Sequence, residues 1–449
     1  MRFKEYFPYY KRNLAIAVPV IFSQVGQVLV QFVDNIMVGH LGTAQLAAAS
    51  FAGSVFINGL IFGMGFSFGL TPLVGKAFGK GRFREAARLF QNSLLTNLLI
   101  SFVLTLIMFG LSFFMDRMGQ PAEVVKLAVP FYRILVISII PFLLFFSFKQ
   151  FAEGIGNTKV SMYITIWINV VNIILNYLLI YGKFGFPHLG MIGSSVATLI
   201  ARITMPIAML VVFLKKDNFR RYFYFFRQSD FSIQVVSRLS KIGTPIGGQM
   251  IIEVLAFSLG SIMMGWFGDV PLASHQIALT LATMTFMVST GISSGTTIRV
   301  SHQLGAHRFK EMRHAAFASF HMVLGFMTIS ACLFMLFRNV LPQLFTADPK
   351  VITLAAELLI VAGFFQIFDG LQVVSLGALR GVADVKTPMY LAFFSYIVIT
   401  LPISYLCAFI FKLGPVGIWI GFLAGLMFAA STFFLRFNRY SKSLIKRSY

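Results

Sequence analysis

Residues 79–86 read GKGRFREA and residues 305–312 read GAHRFKEM. The two segments agree at Gly, Arg, Phe and Glu, and they stand 226 residues apart. The offset extends well beyond them. It carries Pro19 onto Pro245, Met37 onto Met263, Gly39 onto Gly265, Gly42 onto Gly268 and Leu46-Ala47 onto Leu272-Ala273. Slipping by one residue, it lays GIGNTK (154–159) on GVADVK (381–386). A match sustained over so much of the chain is an internal duplication, so the fold is to be read as two halves of one pattern.

Each half is apolar. The chain is 57% hydrophobic and only 12% charged, whereas soluble domains carry about 25% charged residues. Apolar runs fall at 14–38, 47–75, 89–114, 125–152, 160–182 and 190–214, then at 241–266, 271–301, 314–338, 351–379, 388–411 and 415–435. Crossing a bilayer core as a helix takes about 20 residues, and every run is long enough. The expected fold is an all-α polytopic membrane protein with twelve transmembrane helices in two pseudo-symmetric six-helix lobes. The lobes are 1–214 and 239–449, joined by a basic cytoplasmic linker, 215–238. The basic N-terminus precedes a long span with no small-residue cleavage site, which reads as a retained first helix.

Charge orients the bundle. Of the 37 Lys and Arg, 29 fall on the side of the N-terminus and 6 on the other, with Arg133 and Arg202 inside spans. Basic residues collect in cytoplasmic loops, so both termini are expected in the cytoplasm of a multi-pass cell inner membrane protein. The same rule explains the net charge of +22 without a nucleic-acid partner. Cys332 and Cys407 lie in apolar runs and imply no disulfide framework.

Most of the fifteen acidic residues lie in loops or near span ends; Asp34, Glu253 and Asp369 lie well inside apolar sequence. Carboxylates at such depth are rare and mark ion or substrate pathways. Glu253 lies twelve residues beyond Lys241, and Asp369 eleven before Arg380. At about 1.5 Å per residue, both stand roughly 16–18 Å from the cytoplasmic end, in the same half. One shared site follows. Asp34 falls on Gly260 and Glu253 on Gln27 under the offset of 226, so the acid positions are not duplicated. Asn172 and Asn176 stand at i and i+4 on one helical face, with Asn169 close to it. Their carbonyls suit a hard cation, which takes oxygen ligands. The competing structural reading is interhelical hydrogen bonding.

Other signals carry less. His307, His314 and His321 repeat every seven residues, about 10.5 Å along a helix, too far apart to share one ion. GKAFGKG (75–81) lacks P-loop spacing. Lys76, Lys149 and Arg299 read as anchors whose charged heads reach the cytoplasmic interface. Pro19 and Pro245 read as kink sites in equivalent helices.

VDNIMVGHLG (33–42), the Pro245-x7-Glu253-Val254 pattern and FDGLQVVSLGALRGVAD (368–384) closely resemble the multidrug and toxic compound extrusion (MATE) family, in its NorM-like subgroup. The resemblance implies a secondary active antiporter, working by alternating access, that exports cationic amphipathic drugs in exchange for Na⁺ or H⁺. Asp34, Glu253 and Asp369 match the family's coupling carboxylates, where Na⁺ or H⁺ binds. Asn172 and Asn176 resemble the polar pair that accompanies the first-helix Asp. The expected partners are small-molecule drugs and membrane lipid, with the chain a monomer, no further cofactor and no catalytic residue. A lipid-linked oligosaccharide flippase of related architecture is the alternative, but a pyrophosphate calls for basic cavity groups, and acids dominate here.

Overall fold

The computed structural model describes residues 3–226 and 230–447; residues 1–2, 227–229 of the expected linker and 448–449 lie outside the described residues. Among the described residues, twelve helices are long and apolar enough to cross a membrane. The first six are α1 Phe7–Gly39, α2 Thr43–Gly79, α3 Phe83–Arg117, α4 Ala122–Gly154, α5 Thr158–Tyr181 and α6 Met191–Lys215. The second six are α7 Ile233–Gly265, α8 Asp269–Gly305, α9 Phe309–Leu336, α10 Pro349–Gly381, α11 Lys386–Ile410 and α12 Pro415–Arg447. All twelve expected spans are present in order. Many run beyond the apolar stretch, because backbone hydrogen bonding continues into amphipathic sequence where hydropathy stops.

The turns repeat with the sequence. Gly42 and Gly268, at φ 142° and 105°, precede α2 and α8. Gly81 (φ 70°) is matched by His307 (φ 57°), and Gly156 (φ 88°) by Ala383 (φ 61°). The left-handed backbone is thus kept in the second half even where the residue that adopts it freely has gone, at a cost of about 1–2 kcal/mol for a side chain.

The chain divides into two compact units, Met1–Ile21 with Gly248–Tyr449, and Phe22–Gly247. Both dividing points lie two residues after a helix-interior proline, Pro19 in α1 and Pro245 in α7. A proline inside a helix deletes one backbone hydrogen bond and kinks it. In each of these helices the residues up to the dividing point belong to one unit and the rest to the other. In one unit Ala17 and Ile21 of α1 fill the space beside Gly295 and Gly291 of α8, where an added Cβ at Gly295 would stand 3.2 Å from the Ala17 Cβ. In the other, Gly243 of α7 abuts Gly69 of α2, where an added Cβ at Gly69 would stand 2.8 Å from the Gly243 nitrogen. These are equivalent crossings under the 226 offset. Small residues spaced by four permit such close backbone approach. A Cβ at Gly243 would strike the Phe66 carbonyl oxygen, a backbone atom that cannot swing aside. Gly243→Val should lower stability by about 1–3 kcal/mol, read as an earlier thermal melt of the purified protein.

Aromatic packing fills both units. Phe90 stacks on Phe151 at 4.4 Å and Phe213 on Phe219 at 4.3 Å in the unit Phe22–Gly247. Phe365 and Phe422 flank the buried Trp419 at 5.4 and 5.9 Å in the other. Trp419 Nε1–H donates to His275 Nδ1 at 3.2 Å, so the ring proton sits on Nε2 and is donated to Ser261 Oγ at 2.9 Å. An indole N–H has no other role than donor, which fixes that tautomer. Of the histidines spaced by seven, His314 and His321 pack edge-on against Tyr6 at 6.0 and 5.0 Å. They belong to a packed stripe.

Candidate functional site

The second-half acids lie on α7 and α10 of one compact unit. Glu253 is half-buried and receives two hydrogen bonds: Gln249 Nε2 donates to Oε2 at 3.0 Å and Tyr396 Oη donates to Oε1 at 3.2 Å. Gln249 stands one turn before Glu253 on α7, so the two side chains meet on the same face. Tyr396 comes from α11, within a π-helical stretch, Phe394–Thr400. An i→i+5 stretch shifts the helix register and is frequent at functional sites; here it belongs to the segment that brings a fully buried phenol to the carboxylate.

Asp369 is 4% exposed and close enough to Glu253 for the two charges to repel; Tyr396 feels both. The two acids that sequence depth set at one height thus lie in one compact unit, within electrostatic reach of each other. Holding two like charges within reach of each other in an apolar span region is unfavourable unless a cation or proton joins them. No hydrogen bond to the Asp369 carboxylate is found among the described residues, which leaves its oxygens open to an incoming cation.

Arg380 extends the cluster. Its Nη2 donates to Gln249 Oε1 at 2.6 Å, and its charge acts on Glu253. In the sequence it counts among the basic residues of the loop that begins there. Its spacing of eleven from Asp369, three helical turns, was the available sign that both share a face.

The first-half acid lies in the other unit. Asn176, fully buried on α5, donates Nδ2 to Asp34 Oδ1 on α1 and to Asn172 Oδ1 at 3.1 Å. The three residues that sequence placed together do meet. The Asn176 Oδ1 is buried without a hydrogen-bond partner, an orphan acceptor next to a carboxylate, which is the chemistry a hard cation requires. Tyr181 Oη donates to the Met37 carbonyl at 3.1 Å and pins α5 to α1 just above.

Basic groups inside the spans are accounted for within this unit. Arg202 Nη1 donates to Ser138 Oγ at 2.8 Å, lies over Phe142 and Phe56 at 4.6 and 5.1 Å, and acts electrostatically on Asp34. Arg133 Nε donates to Ser112 Oγ at 3.0 Å and lies over Phe113 at 5.0 Å. Lys149 corrects the sequence reading. It is 2% exposed and paired with Glu153 at 3.9 Å, with its ammonium over Phe146. An anchor would reach toward water; this side chain turns inward because an acid one turn away on its own helix is buried beside it.

The comparisons agree with this architecture. The MatE family profile matches residues 19–178 and 245–406, two segments whose starts are separated by the repeat offset of 226. A probable multidrug resistance protein NorM of Agrobacterium fabrum is 32% identical over 438 residues, spanning 96% of this chain and 94% of that protein. The multidrug resistance protein MdtK of Yersinia pestis is 31% identical over 430 residues, 94% of each chain. Among solved structures, the eukaryotic MATE transporter AtDTX14 superposes with a TM-score of 0.88 over 98% of this chain and 99% of its own, at 19% identity. An outward-facing multidrug resistance MATE family transporter gives 0.89 at 20% identity, covering 98% and 97%. The chain, a multi-pass membrane protein with twelve spans, belongs to the MatE family.

Proposed function

We propose that the protein is a multidrug efflux antiporter that exports cationic amphipathic compounds by alternating access in exchange for Na⁺ or H⁺. The observation that carries this reading is the pair Glu253 and Asp369, held inside spans of one compact unit within electrostatic reach of each other, with donors on Glu253 and, among the described residues, none on Asp369. Two like charges inside the spans bind a cation or proton readily, and a drug cation that prefers the ionised pair competes with that ion. The affinities of drug and ion are then negatively linked. Asp34 with Asn172 and Asn176 forms a second oxygen-rich site on the same logic. The names of the NorM and MdtK relatives support multidrug efflux. The 29-to-6 division of basic residues supports cytoplasmic termini, and the bacterial NorM and MdtK relatives support an inner-membrane location; there the protein acts as a monomer surrounded by lipid. No cofactor is needed and no reaction is catalysed. Phe and Met lining would give an adaptable surface for varied drugs.

The test uses everted membrane vesicles carrying the full chain. A fluorescent drug cation should accumulate against its own gradient only under an imposed Na⁺ or H⁺ gradient, and the gradient that drives it identifies the coupling ion. Movement indifferent to both gradients would rule the antiport reading out.

A further inference from the structure

Arg380 takes no part in the exchange as proposed, yet it is wired to the acid pair. It stands one residue before the end of α10, half-buried. Nη2 donates to Gln249 Oε1 at 2.6 Å, and Gln249 Nε2 donates onward to Glu253 Oε2 at 3.0 Å. Chemistry fixes the direction of this relay. A guanidinium only donates and an ionised carboxylate only accepts, so the amide oxygen must face Arg380 and the amide nitrogen Glu253. Gln249 is 2% exposed, and a polarised bridge transmits charge well in such a medium. Arginine stays charged at any pH a protein tolerates, so its positive charge is a fixed part of the site.

The repeat shows that the fold does not require this charge. At the offset of 227, which holds over 154–159 and 381–386, Arg380 falls on Glu153. There the residue is an acid, satisfied by Lys149 of its own helix at 3.9 Å. The equivalent position tolerates either sign, so the positive charge at 380 answers to the acids of its own unit. With Glu253 and Asp369 ionised, those two acids and Arg380 carry one net negative charge.

We propose that Arg380 is a built-in counter-cation, a positioning residue acting on Glu253 through Gln249, which sets the second-half site to take one monovalent cation instead of two. The proposal rests on the antiport reading above and adds the stoichiometry of that same site.

Cation uptake by the purified full chain in detergent tests it, with Na⁺ counted by equilibrium dialysis of ²²Na⁺ and protons by potentiometric titration between about pH 9 and 5. Arg380→Gln should take up about one more monovalent cation per molecule than the wild type, and Arg380→Lys should restore the wild-type count. Gln249→Leu keeps the guanidinium but cuts the relay. It should leave the count unchanged and tighten cation binding about 2–10-fold, the worth of one net hydrogen bond, and it serves as well if Arg380→Gln does not fold. A wild-type count in Arg380→Gln, a raised count in Arg380→Lys, or unchanged affinity in Gln249→Leu overturns the counter-cation. A wild type that takes up neither ion defeats the antiport reading itself, and this proposal with it.

Discussion

Glu253→Gln and Asp369→Asn are each expected to abolish cation-driven efflux. The argument is one of linkage. An ion gradient can drive a drug only through the difference in ion affinity between states, and with one carboxylate gone the positive charge of Arg380 already offsets the other, so that difference collapses. Coupling free energies of about 1–3 kcal/mol correspond to roughly 5–150-fold effects on affinity. Gradient-driven efflux in either variant should therefore fall at least about tenfold. The substitutions preserve shape. Tyr396, 3.2 Å from Glu253 Oε1, can still donate to an amide oxygen at 253, so the fold should survive. Monodisperse elution and a melting temperature near the wild-type value would show that the loss lies in coupling. Full efflux in both variants would remove the second-half pair from the mechanism.

The second large effect is expected at Asn176. Its Nδ2 serves both Asp34 and Asn172, and its own Oδ1 is buried without a partner. Asn176→Leu would leave two acceptors in a water-poor interior with no donor. Each such loss costs about 1–3 kcal/mol, so the variant should melt several degrees earlier. It should also lose at least about tenfold in efflux rate, because the oxygen cluster around Asp34 is broken. Asp34→Asn separates the two effects. It keeps a hydrogen-bonding partner for Asn176 and so stays near wild-type stability, while efflux falls as in the other acid variants. A stable and fully active Asp34→Asn would make this polar trio interhelical packing only.

Much of this was legible in the sequence, for reasons that can be named. A membrane span must satisfy its own backbone, so it is written as a long apolar run, and all twelve could be read. A duplication is written as an offset, and 226 residues recurs in the turns, the glycine crossings and the family matches. Depth along a helix is arithmetic, which brought Glu253 to Asp369; spacing by four brought Asn172 to Asn176. What sequence withheld was lateral direction. Arg380 reads as the first charge of a loop, and only the structure turns it toward Gln249. Tyr396 has no periodic signature, because its register depends on a π-helical stretch that composition does not announce. Lys149 was read with its charge turned toward water, when it points to Glu153. The change of unit just after Pro19 and Pro245 was not legible either, because a proline marks where a helix can bend and not which neighbours it takes.

The central claim is that the buried acids tie drug movement to a cation gradient. Purified protein in liposomes with a fluorescent drug cation at equal concentration on both sides tests it, with Na⁺ and H⁺ gradients imposed one at a time on the wild type and on the Glu253→Gln, Asp369→Asn double variant. The account predicts drug movement in the wild type under at least one gradient, none without a gradient, and none in the double variant under either. Drug movement by the double variant at the wild-type rate would contradict it.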